Sequence, residues 1–224
     1  VTNFVGESAQ RGLLTYEVRS GGSAPEPLEP AAVGVLIGEA DGGALAVARG
    51  DEILVQANAL MSEFPVVVLT QDWHPANHSS FAANHADAAA FSMCEMPYGP
   101  QTLWPVHCVQ GSKGAEFHPG LRTDLAQMVL RKGFHPEVDS YSGFFENDHK
   151  TPTGLDGYLR SRGVTAITLV GLATDFCVGY SALDAARLGY DVVVLTKACR
   201  AIDLNGTLAM MRASAIKAGV NWQE

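Results

Sequence analysis

The sequence has few cysteines and a deficit of positive charge, and each shortage excludes a class of protein. Four cysteines in 224 residues are too few for the disulfide framework of a small secreted domain. A net charge of −9 disfavours nucleic acid and anionic membrane surfaces as partners. No apolar run approaches the roughly 20 residues of a membrane span, and the first residues lack the basic and apolar stretches of a signal peptide. We therefore expect a soluble cytoplasmic protein with reduced cysteines.

Strand and helix patterns alternate from residue 32 onward. Apolar runs typical of buried strands occupy residues 33–37, 66–70, 128–131, 165–170 and 192–195. Helical patterns occupy residues 50–61, 155–162, 174–188 and 204–218. Buried strands that alternate with helices predict an α/β fold, a single-domain, mostly parallel sheet flanked by helices on both faces. We expect residues 1–31 to form an N-terminal arm and 32–224 the domain, in which the long irregular stretch 71–127 has the length of a functional loop.

Candidate metal ligands follow the predicted strand at 66–70. Asp72 and His74 are two positions apart at a strand end, so both can point into the crevice where parallel sheets bind ligands. From this pair alone, a polar turn is the more common arrangement. His107 supplies a third ligand in the same long loop, with His78 and His85 as further options. One Asp and two His with open positions are typical of a catalytic zinc, iron or manganese site.

Two further strand ends carry reactive side chains. Lys132 follows the strand at 128–131, where a lysine more commonly extends to the surface than faces a reaction centre. Cys177 falls in the first turn of the helix after 165–170. The N–H groups and dipole at a helix start lower the pKa of a thiol, so the position favours Cys177 as a nucleophile. Cys94 and Cys199 lack this setting and are expected to be structural.

Five segments together resemble the nicotinamidase (pyrazinamidase) family of isochorismatase-like cysteine hydrolases. They are TQDWHP (70–75), LWPVHCVQG (103–111), RKG (131–133), EVDSYSGF (137–144) and GLATDFCV (171–178). The resemblance implies a parallel sheet flanked by helices. It also implies hydrolysis of nicotinamide to nicotinate and ammonia in NAD salvage, with pyrazinamide as a further substrate. A homo-oligomer is compatible with this reading.

The resemblance also implies roles for single residues. Asp72, His74 and His107 would bind one divalent metal ion, with zinc expected first and iron or manganese as alternatives. Cys177 would be the nucleophile and Lys132 the catalytic lysine.

Two further features concern the substrate. By family pattern, the peptide bond before Ala173 would be cis, and the N–H groups of Ala173 and Cys177 would form the oxyanion hole. Trp73, Trp104 and Tyr141 favour a pocket for a flat aromatic ring.

One segment departs from the family pattern. The family's first strand ends in an Asp that is followed by an aromatic residue, whereas here residue 37 leads into Gly38-Glu39-Ala40-Asp41. Either several natural residues are missing from this chain here, which we favour because every other motif is intact, or Glu39 or Asp41 replaces the acid. Three alternative functions stay open: hydrolysis of another small amide, ligand binding without catalysis, and metal-free thiol hydrolysis.

Overall fold

A computed structural model of the chain describes the backbone of residues 31–36 and the full residues 45–223. The predicted N-terminal arm lies outside the described residues except for its last position. Glu39 and Asp41, the two candidates for the missing acid, lie outside them as well. The proposed domain boundary at residue 32 therefore stays a prediction.

The core of the fold is a six-stranded parallel sheet. The described strands are β1 Ala31–Leu36, β2 Val66–Asp72, β3 Met93–Met96, β4 Gly99–Thr102, β5 Met128–Lys132, β6 Ala166–Leu172, β7 Asp191–Arg200 and β8 Asn221–Gln223. The sheet has the order β5-β2-β1-β6-β7-β8, and each neighbouring pair is parallel. Val67, Leu69 and Val170 are almost completely buried, as expected for strands covered on both faces.

The described residues contain four α-helices, which lie in the connections between strands. They are α1 Leu54–Met61, α2 Leu155–Ser161, α3 Gly179–Arg187 and α4 Thr207–Lys217. Because crossovers are right-handed and the strand order reverses direction between β1 and β6, α1 belongs to one face and α2 to α4 to the other. The predicted fold class is confirmed. Among the described helices, none is long and apolar enough to cross a membrane.

A hairpin and a π-helical turn are among the local features that the sequence did not predict. The stretch 71–127, expected to be irregular, contains the antiparallel hairpin of β3 and β4, and its signal is weak because β4 carries Pro100 and β3 is half exposed. The helix predicted over 174–188 begins with a π-helical turn, Thr174–Val178, before α3. The glycine at 179 admits a close approach there, since a Cβ at this position would meet Met211 of α4.

The strand order determines where a ligand can bind. In an open parallel sheet, the crevice lies beyond the carboxyl ends of the strands, where the order reverses. In this sheet the reversal falls between β1 and β6. The described segments at this edge follow β2, β5 and β6, and they carry the reactive residues that the sequence singled out.

Candidate active site

Asp72 and Lys132 form the base of the site. They are register partners at the carboxyl ends of β2 and β5, and Lys132 Nζ lies 2.6 Å from Asp72 Oδ1. Lys132 is 1% exposed, so the expectation of a surface lysine is wrong. The carboxylate of the neighbouring strand makes burial of the ammonium possible, because a buried charge needs a partner.

Lys132 connects the ion pair to the predicted nucleophile. Its Nζ donates to the Ser140 carbonyl oxygen at 2.5 Å and to Cys177 Sγ at 3.5 Å. Burial opposes the charge of Lys132, but the attraction of Asp72 and of Cys177 raises its pKa above the usual value. Burial likewise disfavours the Asp72 carboxylate, and Lys132 and His74 outweigh it and lower its pKa. The site therefore holds a fixed positive charge beside the sulfur.

The Cys177 thiol lies in the π-helical turn that follows β6 and keeps part of its surface open to the pocket. Burial raises its pKa to about 11, although Lys132 acts in the opposite direction. The helix start was expected to lower this pKa, whereas burial outweighs the attraction of Lys132 and raises it. The resting group is a neutral thiol, which needs a base before it can attack.

A pocket opens above these groups. Its polar lining includes Asp72, His74, His107 and Asp139. Its apolar lining comprises Leu45, Val47, Trp104, Tyr141, Leu172, Ala173, Phe176 and Ile202. A ligand with one flat apolar body and a polar end matches this division.

Trp104, Tyr141 and Phe176 form an aromatic wall of the pocket. The sequence predicted the first two as substrate-binding residues and missed Phe176. Phe176 packs edge-to-face on Trp104 with ring centroids 4.9 Å apart, and its centroid lies 5.5 Å from that of Tyr141. Trp104 Nε1 donates to the Tyr141 hydroxyl oxygen at 3.0 Å, which fixes both rings. The position of Phe176 directly before the nucleophile was the only signal in the sequence.

Trp73 is not among the described residues that line the pocket, and the structure gives its predicted role in substrate binding no support. The Arg131 guanidinium stacks over its ring at 3.7 Å from the centroid. Side chains alternate between faces along an extended chain. Because Asp72 and His74 face the pocket, the residue between them points away from it.

The three predicted metal ligands line one pocket. The rings of His74 and His107 lie 4.7 Å apart. His107 Nδ1 lies 2.8 Å from the Pro105 carbonyl oxygen, and burial lowers the pKa of His107 to about 4, so its Nε2 carries a free lone pair. His74 Nδ1 is buried without a hydrogen-bond partner. Two histidine nitrogens are thus available beside the Asp72 carboxylate.

A second set of possible ligands lies deeper in the protein. Within residues 45–223, the group of three whose ligand atoms all lie within 4.8 Å of one another is His74, His78 and Asp139. His74 Nε2 is 3.3 Å from Asp139 Oδ1. The predicted ligands Asp72, His74 and His107 do not form so compact a group, because the Asp72 carboxylate is paired with Lys132. Asp139, which belongs to the EVDSYSGF segment, was not singled out from the sequence.

The tautomer of His78 argues against its use as a ligand. The Ser80 N–H donates to His78 Nδ1 at 3.1 Å, and burial lowers the pKa of His78 to about 4. The neutral ring therefore carries its proton on Nε2, the nitrogen that has no hydrogen-bond partner. His85 Nε2 lies 2.6 Å from the Ser79 carbonyl oxygen, and His85 is not among the described residues that line the pocket.

The backbone around Ala173 matches the family pattern in one respect. The Leu172–Ala173 peptide bond is cis, as the resemblance implied. Ala173 and Cys177 both line the pocket. Their role as an oxyanion hole stays a prediction.

Comparisons with known proteins agree with this geometry. The isochorismatase domain model matches residues 37–220. The chain is 50% identical to a nicotinamidase of Acinetobacter baylyi over 84% of this chain and 88% of that protein. It is 42% identical to a nicotinamidase of Escherichia coli over 82% of this chain and 91% of that protein.

Two solved structures are similar. A nicotinamidase and pyrazinamidase from Acinetobacter baumanii has a TM-score of 0.86 at 48% identity, covering 89% of this chain and 98% of that one. A Pyrococcus horikoshii pyrazinamidase in complex with zinc has a TM-score of 0.68 at 30% identity, covering 87% and 99%.

Proposed function

The chain belongs to the isochorismatase family, and we propose that within this family it is a nicotinamidase that hydrolyses nicotinamide to nicotinate and ammonia and also accepts pyrazinamide. One observation carries the proposal: Lys132 Nζ lies 3.5 Å from Cys177 Sγ, and Cys177 lines a pocket that has an aromatic wall. The nicotinamidase relatives support the choice of substrate.

The reaction starts with the loss of the thiol proton. Because the pKa of Cys177 is raised to about 11, a carboxylate has to accept this proton before the sulfur attacks. We assign this role to the segment that follows β1, in which Glu39 and Asp41 are the two acidic residues. The same acid then returns the proton to the departing ammonia.

Lys132 stabilises the charge that develops during attack. The sulfur adds to the amide carbon, and the carbonyl oxygen becomes an oxyanion. The Lys132 ammonium and the N–H groups of Ala173 and Cys177 would face this oxyanion, and one such donor contributes about 3 kcal/mol in comparable sites. The C–N bond breaks, ammonia leaves, and water hydrolyses the remaining thioester to nicotinate and free thiol.

The residues present fit a divalent metal ion. His74 Nδ1 is a buried polar atom without a partner, and His107 offers Nε2 because its Nδ1 is bonded to Pro105. We propose Asp72, His74 and His107 as the ligands, and the zinc complex of the Pyrococcus relative supports zinc over iron or manganese. When bound, the ion supplies a Lewis-acidic position that orients the pyridine nitrogen.

The remaining parts of the proposal concern context. Production of nicotinate from nicotinamide places the protein in NAD salvage. We propose a cytoplasmic location and small-molecule substrates, without nucleic acid or membrane partners, consistent with the net charge of −9. A homo-oligomer is also part of this proposal.

The decisive experiment measures ammonia release from nicotinamide, with and without a chelator. The wild type should form ammonia and nicotinate in equal amounts, and the chelator should remove activity that added zinc restores. Unchanged activity in the chelator would favour the metal-free thiol hydrolase. Metal binding without any ammonia release would favour the ligand-binding homologue, and release from other small amides alone would favour a different amidohydrolase.

A further inference from the structure

Asp175 is a buried carboxylate that the mechanism above does not use. Its side chain is almost completely buried, with the residue 2% exposed. Its Oδ1 accepts from the Ile202 N–H at 3.0 Å, and its Oδ2 accepts from the Asp203 N–H at 2.8 Å and from Thr207 Oγ1 at 2.5 Å. All three donors belong to the segment 202–207, which follows β7 and ends at the first residue of α4.

The backbone of this segment needs to be held in place. Asp203 and Asn205 both have a φ of 53°, in the left-handed region that few L-residues adopt and in which Asp and Asn are the most common of them. Hydrogen bonds to a carboxylate are stronger than those between neutral groups. Asp175 thus fixes both ends of this stretch, through two backbone N–H groups at its start and the Thr207 hydroxyl at its end.

The segment supplies one wall of the pocket. Ile202 lines the pocket and packs against the cluster of Trp104, Ala173 and Phe176. Asp175 itself stands two residues before Cys177 in the π-helical turn. The same carboxylate therefore joins the turn that carries the nucleophile to the segment that carries an apolar contact for the substrate ring.

We infer that Asp175 is a positioning residue that holds Ile202 against the ring of the bound amide, and that it thereby controls substrate affinity more than the chemical step. The inference rests on the proposed nicotinamidase function. A wall contact made equally in the bound substrate and in the transition state changes KM and leaves kcat largely unchanged.

Asp175→Asn is the first test, because asparagine has the same shape but its NH2 group cannot accept a hydrogen bond from the Ile202 or Asp203 N–H. It should raise KM for nicotinamide about tenfold, as expected for the loss of charge-assisted hydrogen bonds, with kcat within about twofold. Ile202→Ala should raise KM similarly. The double variant should add little to either change, because both substitutions remove the same contact.

Two further variants control the experiment. Asp184→Asn neutralises another buried carboxylate, on α3, which pairs with Arg187 at 3.2 Å, and should leave KM unchanged. Thr207→Val removes one donor on the segment side and should raise KM less than Asp175→Asn does. If Asp175→Asn fails to fold, Thr207→Val still tests the proposal.

Amide hydrogen exchange tests the attachment without any turnover. The Ile202 and Asp203 amides should exchange faster in Asp175→Asn and not in Asp184→Asn. Unchanged exchange, a fall in kcat at constant KM, or additive effects of Asp175→Asn and Ile202→Ala would overturn the inference. If the wild type releases no ammonia from nicotinamide, the proposed function fails, and the exchange rates still decide whether Asp175 holds the segment.

Discussion

Asp72 and Lys132 are register partners on neighbouring strands, and their side chains form a 2.6 Å ion pair at the base of the pocket. The ammonium is thereby fixed 3.5 Å from the Cys177 sulfur. This ion pair therefore fixes a positive charge beside the reacting sulfur.

Removing Lys132 should destabilise the fold as well as the reaction. Lys132→Met leaves the Asp72 carboxylate without its buried partner, so we expect the free energy of unfolding to fall by about 3 kcal/mol. Urea unfolding in the presence of a chelator measures this. The double variant Asp72→Asn/Lys132→Met should recover part of the loss, and a double variant no more stable than Lys132→Met would contradict the ion-pair account.

Lys132 should also affect kcat more than substrate binding. Its charge meets an oxyanion that exists only after attack, so Lys132→Ala should lower kcat at least about 100-fold with a small change in KM. Steady-state kinetics with nicotinamide measure both. A raised KM at normal kcat would instead indicate that Lys132 positions the substrate.

Cys177 should be the one thiol whose loss abolishes turnover. Cys177→Ala should release no ammonia and should still bind zinc, because no ligand role is assigned to it. Cys108→Ser is the matched control: Cys108 also lines the pocket and is buried, but its loss should be much milder. Equal losses in the two variants would argue against a single nucleophile.

The two possible ligand sets predict opposite results for two histidines. His107→Ala should weaken zinc binding about 100-fold, and His78→Ala should leave it largely intact, because His78 Nε2 carries a proton. Loss of an outer hydrogen-bond partner typically costs about 10- to 100-fold in metal affinity, so loss of a direct ligand should reach or exceed the top of that range. Competition against a chromogenic chelator measures both affinities. The reverse result would assign the metal to His74, His78 and Asp139.

The thiol of the metal-free, substrate-free protein should react as a weak acid. With a pKa of about 11, Cys177 is protonated at neutral pH and the thiolate fraction grows about tenfold with each pH unit below the pKa. Alkylation by iodoacetamide, followed in a Cys94→Ser/Cys108→Ser background, should still accelerate at pH 9.5. A plateau near pH 8.5, the range of an ordinary cysteine, would show that burial does not dominate.

The sequence predicted the elements of the sheet and the ends that carry chemistry, because both depend on local patterns. Val66–Asp72 and Ala166–Leu172 are largely apolar runs with polar residues at their ends or shortly after them, and no partner strand is needed to recognise them. The edge strand β8 was missed because three residues, half exposed, give no such pattern.

The environment of single side chains could not be predicted in the same way. Lys132 is buried because β5 pairs with β2 in a register that places it beside Asp72, and register is a property of two distant segments. The pKa of Cys177 depends on how completely the pocket excludes water, which a helix-start argument does not include. Phe176 and Asp139 belong to the site because of contacts with residues that are distant in the sequence, Trp104 and His74.

The all-parallel order of the sheet has a consequence for folding. No two neighbouring strands of this sheet can be joined by a hairpin, so each pairing closes a long loop, and such topologies fold slowly. Lys132 ends β5, at one edge of the sheet, and Cys177 follows β6, on the far side of β1. Regain of hydrolytic activity after dilution from denaturant therefore requires every pairing from β5 to β6, and it should lag behind the recovery of secondary structure.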